Sequence, residues 1–95
     1  MIQVCVGLHG IQMHGHAGCA GPDGIDRACA AVSALTCALI NALADLSGDQ
    51  IRAETESGNA VVEWQDLTDG GKLLVDAWFL GMADIDREYS CIEFQ

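Results

Sequence analysis

The stretch DRACAAVSALTCALINALADL, residues 26–46, decides the fold. Asp26 is a good N-cap, and Ser47-Gly48 is a typical helix stop. Between them, large apolar side chains recur at the spacing that places them on one helix face. These side chains are Val32, Leu35, Leu39, Leu43 and Leu46. The pattern predicts a helix over residues 27–46. Because many of its other residues are small, neighbouring elements can approach closely, so we expect it to be the central helix.

The segments on either side of this helix predict a sheet and a second helix. Apolar residues alternate over residues 2–8, His9-Gly10 can turn the chain, and residues 11–16 form a second strand. Residues 51–56 and 60–64 predict a hairpin, residues 71–88 a helix capped by Thr68 or Asp69, and residues 91–94 a short last strand. We therefore predict the order ββαββαβ, an α+β fold with a mostly antiparallel sheet and two helices.

Length and composition limit the possible functions. With 95 residues, the chain is predicted to form one domain with one core. Hydrophobic residues make up 51% of it, which excludes disorder. The formal charge is −10, with only four Lys and Arg, and such a surface repels phosphate backbones. We therefore expect no direct nucleic-acid binding, and we expect attraction to a basic peptide or protein.

Charge and cysteine patterns predict a cytoplasmic protein. Met1 leads directly into an alternating segment, with no cationic start followed by an apolar run, so no secretory signal is visible. Residues 28–44 are uncharged, yet they are rich in small and polar residues and fall short of a typical membrane span, so we interpret them as a buried helix and expect no membrane. The five cysteines are odd in number and irregularly spaced, which predicts free thiols in a reducing compartment.

Cys29 and His16 form the constellation that could do chemistry. With Asp26 as N-cap, Cys29 is the third helical residue, where free N–H groups and the helix dipole favour a thiolate. Position alone is equally compatible with a small apolar residue, which is how we interpret Cys37. His16 favours the functional interpretation. It ends the second strand and enters a glycine-rich loop, residues 15–24, that leads back to the helix start and could admit substrate.

The same residues resemble the signature of the ribosomal-processing cysteine proteases, the Prp family. Its pattern is Gly-His-Ala, about a dozen residues, and then Asp-x-x-Cys-Ala-x-x-Ser, and here Gly15-His16-Ala17 is followed by residues 26–33 in that form. Two departures are visible. Arg27 and Ala28 stand where the family usually has two apolar residues, and the separation from His to Cys, 29 − 16 = 13, is one residue longer than usual.

The resemblance implies a function and its residues. Cys29 would be the nucleophile and His16 its proton partner, with Asp26 and Ser33 at recurrent supporting positions. Family members are small cytoplasmic homodimers that trim an N-terminal extension from a ribosomal large-subunit protein precursor, and phage relatives process virion or scaffold proteins. We expect no cofactor and no metal. The resemblance covers about a fifth of the chain.

From the chemistry of these residues, Cys29 would attack a peptide carbonyl and His16 would protonate the leaving amine. N–H groups at the helix start, including that of Cys29, could supply an oxyanion hole. Asp26 could orient His16 or serve only as an N-cap. Ser33, one turn after Cys29, could hydrogen-bond near the site or only to the preceding helical turn.

Two other classes of function remain open from sequence. His9, His14, His16, Cys19 and Cys29 include enough ligands for zinc, although their spacing fits no closed finger pattern. A non-catalytic dimeric adaptor that holds basic proteins is the other alternative. Phe79 falls on the outward side of the predicted second helix, which weakly supports a homodimer beyond what the resemblance implies.

Overall fold

The structure is a computed structural model that describes residues 1–95, and it confirms the predicted order ββαββαβ. It has two helices and five strands. They are β1 (Ile2–Gly7), β2 (Gly10–His14), α1 (Arg27–Asp45), β3 (Ile51–Glu56), β4 (Asn59–Trp64), α2 (Asp69–Tyr89) and β5 (Ile92–Phe94).

The five strands form one sheet in the order β3-β4-β2-β1-β5. The pairs β1/β2, β2/β4 and β3/β4 are antiparallel, as predicted. β5 adds to β1 in parallel, so the sheet is mixed. This parallel pair is possible because α2 carries the chain from the far edge strands back across the sheet before β5 begins.

The core lies on one face of the sheet. Ile2, Val4, Ile11 and Met13 alternate with exposed or half-buried neighbours, and both helices pack on the face that these four residues share. Because the sheet has a single covered face, the molecule has two layers, with the helices in one of them.

A short polar connection crosses this apolar core. The buried Trp78 of α2 donates its indole N–H to Thr36 Oγ1 of α1 at 3.2 Å, and the Thr36 hydroxyl faces the Met13 sulfur at 4.0 Å. Both side chains are buried, and the hydrogen bond satisfies the indole donor that burial would otherwise leave without a partner. It also fixes how α2 lies against α1.

α2 begins at the predicted cap but turns a slightly different face inward. The Thr68 hydroxyl accepts the Gly71 N–H at 3.0 Å, so Thr68 and not Asp69 is the N-cap. Helical spacing in the sequence predicts Leu74, Trp78, Gly81 and Ile85 as the inward residues. Of these, only Trp78 is fully buried, whereas the other three are half-buried because they lie at the sides of the packed face. The fully buried face is centred on Val75, Trp78 and Met82.

The first hairpin is shorter than predicted at both strands. β1 ends at Gly7, and the Leu8 side chain is 84% exposed in the turn. β2 ends at His14, so His16 lies two residues beyond the strand and does not end it. Gly15 explains this end, because its φ of 103° is a left-handed conformation and any Cβ there would lie 2.5 Å from the Met1 carbonyl oxygen.

α1 is less buried than predicted. Only one face is covered, formed by Ala28, Val32, Thr36, Leu39 and Leu43, while Cys37 is exposed and Leu46 caps the helix with its side chain in solvent. Length and composition alone would let α1 cross a membrane, but core helices of soluble proteins meet the same criterion. Its burial against the sheet accounts for the apolar face.

Candidate active site

Cys29 lies in the first turn of α1, as predicted. The Asp26 carboxylate caps the helix, with its Oδ1 accepting the Cys29 backbone N–H at 3.0 Å. The Cys29 side chain is half-buried and packs against the edge of the core. The thiol is therefore held at the positive end of the helix dipole while remaining accessible from one side.

The loop before α1 supplies a hydrogen bond to this sulfur. The Ala17 backbone N–H points at Cys29 Sγ at an N···S distance of 3.3 Å. This backbone donor therefore lies directly beside the candidate nucleophile. Sequence reasoning missed this contact, since a backbone group carries no residue signal.

Asp26 ties the loop to the helix. Its second oxygen, Oδ2, accepts the Cys19 backbone N–H at 3.0 Å while Oδ1 holds the Cys29 N–H. The hydrogen bond from the Cys29 N–H, and to a smaller extent the one from the Cys19 N–H, holds the pKa of the Asp26 carboxyl below its usual value. Because Cys19 follows Ala17 by two residues, the same carboxylate fixes the amide that donates to the sulfur.

His16 lies on the other side of the same groove. The backbone on each side of it is anchored, since Gly15 N–H donates to the Gly58 carbonyl at 2.9 Å and the His16 carbonyl accepts from the Met1 nitrogen at 2.6 Å. The imidazole is exposed and lies against Gly58, where a Cβ would come within 2.7 Å of Nε2. With any other residue at Gly58, the ring would have to move from this position.

The groove itself runs between one flank of α1 and the β3–β4 hairpin. It has a volume of about 220 Å³, and both His16 and Cys29 line it. Ser33 lies one turn further along the α1 wall, as predicted for a residue near the site. The opposite wall consists of Thr55 and the turn residues 56–59.

The structure favours one of the two roles that the sequence left open for Asp26. Asp26 makes no hydrogen bond to His16, and its two oxygens accept the Cys29 and Cys19 amides, as an N-cap does. For the same reason the Cys29 N–H is not free for an oxyanion hole. The His16 ring and the Cys29 sulfur line the same groove, and no hydrogen bond joins them. Ser33 makes no side-chain hydrogen bond.

The hairpin wall is the part of the site that sequence reasoning missed. Ser57-Gly58-Asn59 was predicted as a turn, but nothing in its sequence predicts that it lies beside His16. The pairing of β2 with β4 brings it there, because His14 pairs with Asn59. His16 and Gly58, 42 positions apart in the chain, thereby become neighbours.

The ligands considered for zinc do not converge. No group of three His, Cys, Asp or Glu side chains in the structure is placed to hold a metal ion. His9 lies at the far end of the sheet, where its Nδ1 is 2.9 Å from the Gln65 carbonyl oxygen. The zinc alternative therefore has no support in the geometry.

The sequence matches the family model described as Cysteine protease Prp over residues 1–92. The chain belongs to this family. The match spans nearly the whole domain, so it includes the helix start and the loop as well as the hairpin wall of the groove. Membership in this family indicates a cysteine protease. Cys29 and His16 remain the predicted catalytic residues.

Solved structures agree with this Prp assignment at the level of the fold. The essential ribosomal processing protease Prp from S. aureus, solved with a covalently linked product peptide, has a TM-score of 0.83 and 22% identity, covering 99% of this chain and 95% of that one. The same S. aureus protease with a substrate peptide gives a TM-score of 0.73 and 18% identity over 99% and 95% of the two chains.

The Streptococcus mutans protein SMU.848 has a TM-score of 0.79 and 27% identity, covering 100% of this chain and 92% of that one. No match was found among curated proteins.

Proposed function

We propose that this Prp-family protein is a cysteine endopeptidase in which Cys29 is the nucleophile and His16 the proton donor to the leaving group. The observation that carries the proposal is the groove that both side chains line, with the Cys29 sulfur at a helix start and facing the Ala17 N–H. A nucleophile with a backbone donor beside it and an imidazole across an open groove is the arrangement that thiol proteolysis needs.

The reaction divides into two steps. The Cys29 thiolate attacks the carbonyl carbon of an extended peptide, and the tetrahedral intermediate collapses to a thioester as His16 gives a proton to the leaving amine. Water, deprotonated by His16, then attacks the thioester and releases the carboxylate and the thiol. The absence of a hydrogen bond between His16 and Cys29 in the free protein is compatible with this scheme, because catalytic hydrogen bonds often form only when substrate is bound.

The Ala17 N–H is the best-placed donor for the developing oxyanion. The Cys29 N–H is already held by Asp26, so it cannot serve unless that cap opens. Ala17 N–H lies 3.3 Å from the sulfur that carries the reacting carbon, close enough to shift from the thiolate to the oxyanion as charge moves.

The substrate we propose is the flexible N-terminal extension of a ribosomal large-subunit protein precursor, processed in the cytoplasm. The fold match to the S. aureus ribosomal processing protease supports this class of substrate. The net charge of −10 also favours ribosomal proteins, which as rRNA-binding proteins are basic. A shallow groove on a domain of this size fits an extended segment and not a folded surface.

We also propose that the protein is a homodimer. Phe79, the aromatic residue that motivated this expectation, packs against Phe94 of the same chain with ring centroids 5.0 Å apart, so it is partly accounted for within the monomer. Stronger support comes from Leu73 and Leu80, which are 70% and 67% exposed on the outward face of α2. They lie two turns apart on one side of the helix, as in a helical interface.

The decisive experiment incubates the protein with candidate precursors and sequences the new N-termini. Cys29→Ser and His16→Ala should abolish cleavage, while the matched substitutions Cys5→Ser and His9→Ala, both at exposed positions away from the groove, should leave it unchanged. If only phage structural precursors are cleaved, the function is virion processing and not ribosome maturation. Cleavage of neither class, or equal cleavage by Cys29→Ser, would contradict the protease proposal and favour the adaptor.

A further inference from the structure

The second face of the sheet carries no helix. Both helices pack on the face that contains the core, so the alternate residues of each strand point away from them on what we call the open face. Arg52, Glu54 and Glu56 of β3 belong to it, and all three are exposed. A sheet face without a covering layer is free to bind a partner, and its side chains decide which partner fits.

One row of the open face starts at the mouth of the groove. The strand registers place Glu56 opposite Asn59, Asn59 opposite His14, His14 opposite Gln3, and Gln3 opposite Glu93. Directly opposite residues point to the same side of a sheet, so these five form one row across all five strands, which we call the polar row. Glu56, Asn59 and His14 also line the groove. The polar row therefore leads from the groove to the far edge of the sheet.

The negative charge of the open face is left unbalanced at the two ends of the polar row. Arg52, the only Lys or Arg on the strands of this face, has its Nη2 atom 2.9 Å from Glu54 Oε1 and lies opposite Glu63. By contrast, neither Glu56 nor Glu93 forms a salt bridge. A cation of a partner would thus find free carboxylates at these two positions.

The size of the open face fits an extended segment better than a folded protein. The row crosses four strand spacings of about 4.8 Å, and strands of about six residues are about 20 Å long, so the face covers about 400 Å² in projection. Stable interfaces between folded proteins bury about 800 Å² on each partner. A second copy of this chain would also bring one negatively charged face against another.

We propose that the polar row is a docking surface for the basic segment that follows the cut in the precursor. This inference rests on the proposed function, in which the substrate is an extension joined to a basic protein. The positive charge of such a precursor lies in the part that is retained, because that part contacts rRNA phosphates. The extension lies in the groove, and the chain beyond the cut leaves at the groove mouth and follows the row.

The distance between the two free carboxylates sets the spacing of the cations that fit them. Four strand spacings are about 19 Å, and an extended chain advances about 3.3 Å per residue, so about six residues separate the two ends of the row. One Lys or Arg close to the cut therefore faces Glu56, and a second, about six residues further on, faces Glu93. Between them, Asn59, His14 and Gln3 offer hydrogen-bonding groups to the polar atoms of the segment.

The test detects docking without requiring cleavage. Amide signals of ¹⁵N-labelled Cys29→Ser protein are followed by NMR while a synthetic peptide is added. The first probe is the extension and the following basic segment of a ribosomal large-subunit precursor. The second probe has Gln in place of every Lys and Arg after the extension. The Glu56→Gln and Glu93→Gln substitutions are compared with Glu88→Gln, which removes the same charge from an exposed position on α2, in the other layer.

The basic peptide should shift signals of the groove and of the polar row, and the Gln peptide only those of the groove. Glu56→Gln and Glu93→Gln should each weaken binding of the basic peptide about two- to fourfold, as expected for exposed ion pairs. Glu88→Gln should leave it unchanged, and high salt should remove the difference between the peptides. Where a precursor is cleaved, Glu93→Gln should raise KM and leave kcat unchanged, because Glu93 touches no reacting atom.

Other outcomes would overturn the proposal in distinguishable ways. Shifts in the groove without shifts in the polar row would exclude docking on the open face and leave the proposed function intact. Equal weakening in Glu88→Gln would mean attraction to the overall charge and no docking at the row. Shifts of the row on concentrating the protein without peptide would assign the face to a second copy. No shift in either place would contradict the proposed function as well.

Discussion

Gly58→Ala is the substitution that tests most directly whether His16 acts from the position in which the structure places it. Gly58 has φ 75°, and a Cβ there would lie 2.7 Å from His16 Nε2 and 3.0 Å from Cε1. Since side-chain atoms settle at about 3.5 Å or more, the ring must retreat by roughly 0.8 Å or swing out of the groove. A displacement of about 1 Å in a catalytic group can cost about a hundredfold in rate.

The same substitution also destabilises the fold, so a control must separate the two effects. An alanine at positive φ costs about 1–2 kcal/mol, and each kcal/mol lowers the Tm of a domain of this size by about 4–8 °C. Gly48 has almost the same backbone conformation, φ 68°, but a Cβ there would meet nothing within 4 Å. Gly48→Ala should therefore lose similar stability and keep its full reactivity.

The assay pairs thermal unfolding with the pH profile of Cys29 alkylation and, where a precursor is cleaved, with its cleavage rate. We expect equal losses of Tm in the two variants, and a cleavage rate for Gly58→Ala about tenfold to a hundredfold below that of Gly48→Ala. If Gly58→Ala matches Gly48→Ala in every kinetic measurement, His16 does not act from beside Gly58, and the assigned proton donor is wrong.

Three further predictions concern single properties of the chain. Cys29 should be alkylated by iodoacetamide near neutral pH faster than any other thiol, and Cys91 should react slowest because its pKa is about 11. The labelled peptides are identified by mass mapping, and faster labelling of an exposed cysteine such as Cys37 would contradict the prediction. Hydrogen bonds from the Ser47 hydroxyl and, to a smaller extent, from Thr68 lower the pKa of the Asp49 carboxyl below its ordinary value of 3.8. The ionised carboxylate should therefore stabilise the fold fully above pH 3.8, and this stabilisation should be lost as the pH falls through the lowered pKa. Asp49→Asn should therefore unfold more easily at pH 7 and show a flatter acid limb in denaturant titrations, and an unchanged limb would refute this. Light scattering should give twice the 10.0 kDa chain mass, and a monomer mass at micromolar concentration would exclude the homodimer.

The residues that define the helices and most strands could be predicted from local patterns. The N-caps at Asp26 and Thr68 are signalled by side chains that bond to amides three residues away, and such contacts need no tertiary information. The placement of Cys29 at a helix start follows from the same cap. Strand ends were less predictable, because β2 ends at His14 only through the close approach of the Gly15 backbone to Met1, which local sequence does not encode.

The sequence by itself therefore determined the order of elements, the family signature and the chemical identity of Cys29 and His16. The tertiary structure alone decided which groups surround them. The β2–β4 register brings Gly58 to His16, the fold of the loop brings the Ala17 N–H to Cys29, and the end of α2 brings the Tyr89 carbonyl to the Cys19 sulfur. Each of these contacts joins residues at least 12 positions apart, or uses a backbone atom that every residue has. For that reason no local pattern of side chains could have predicted them.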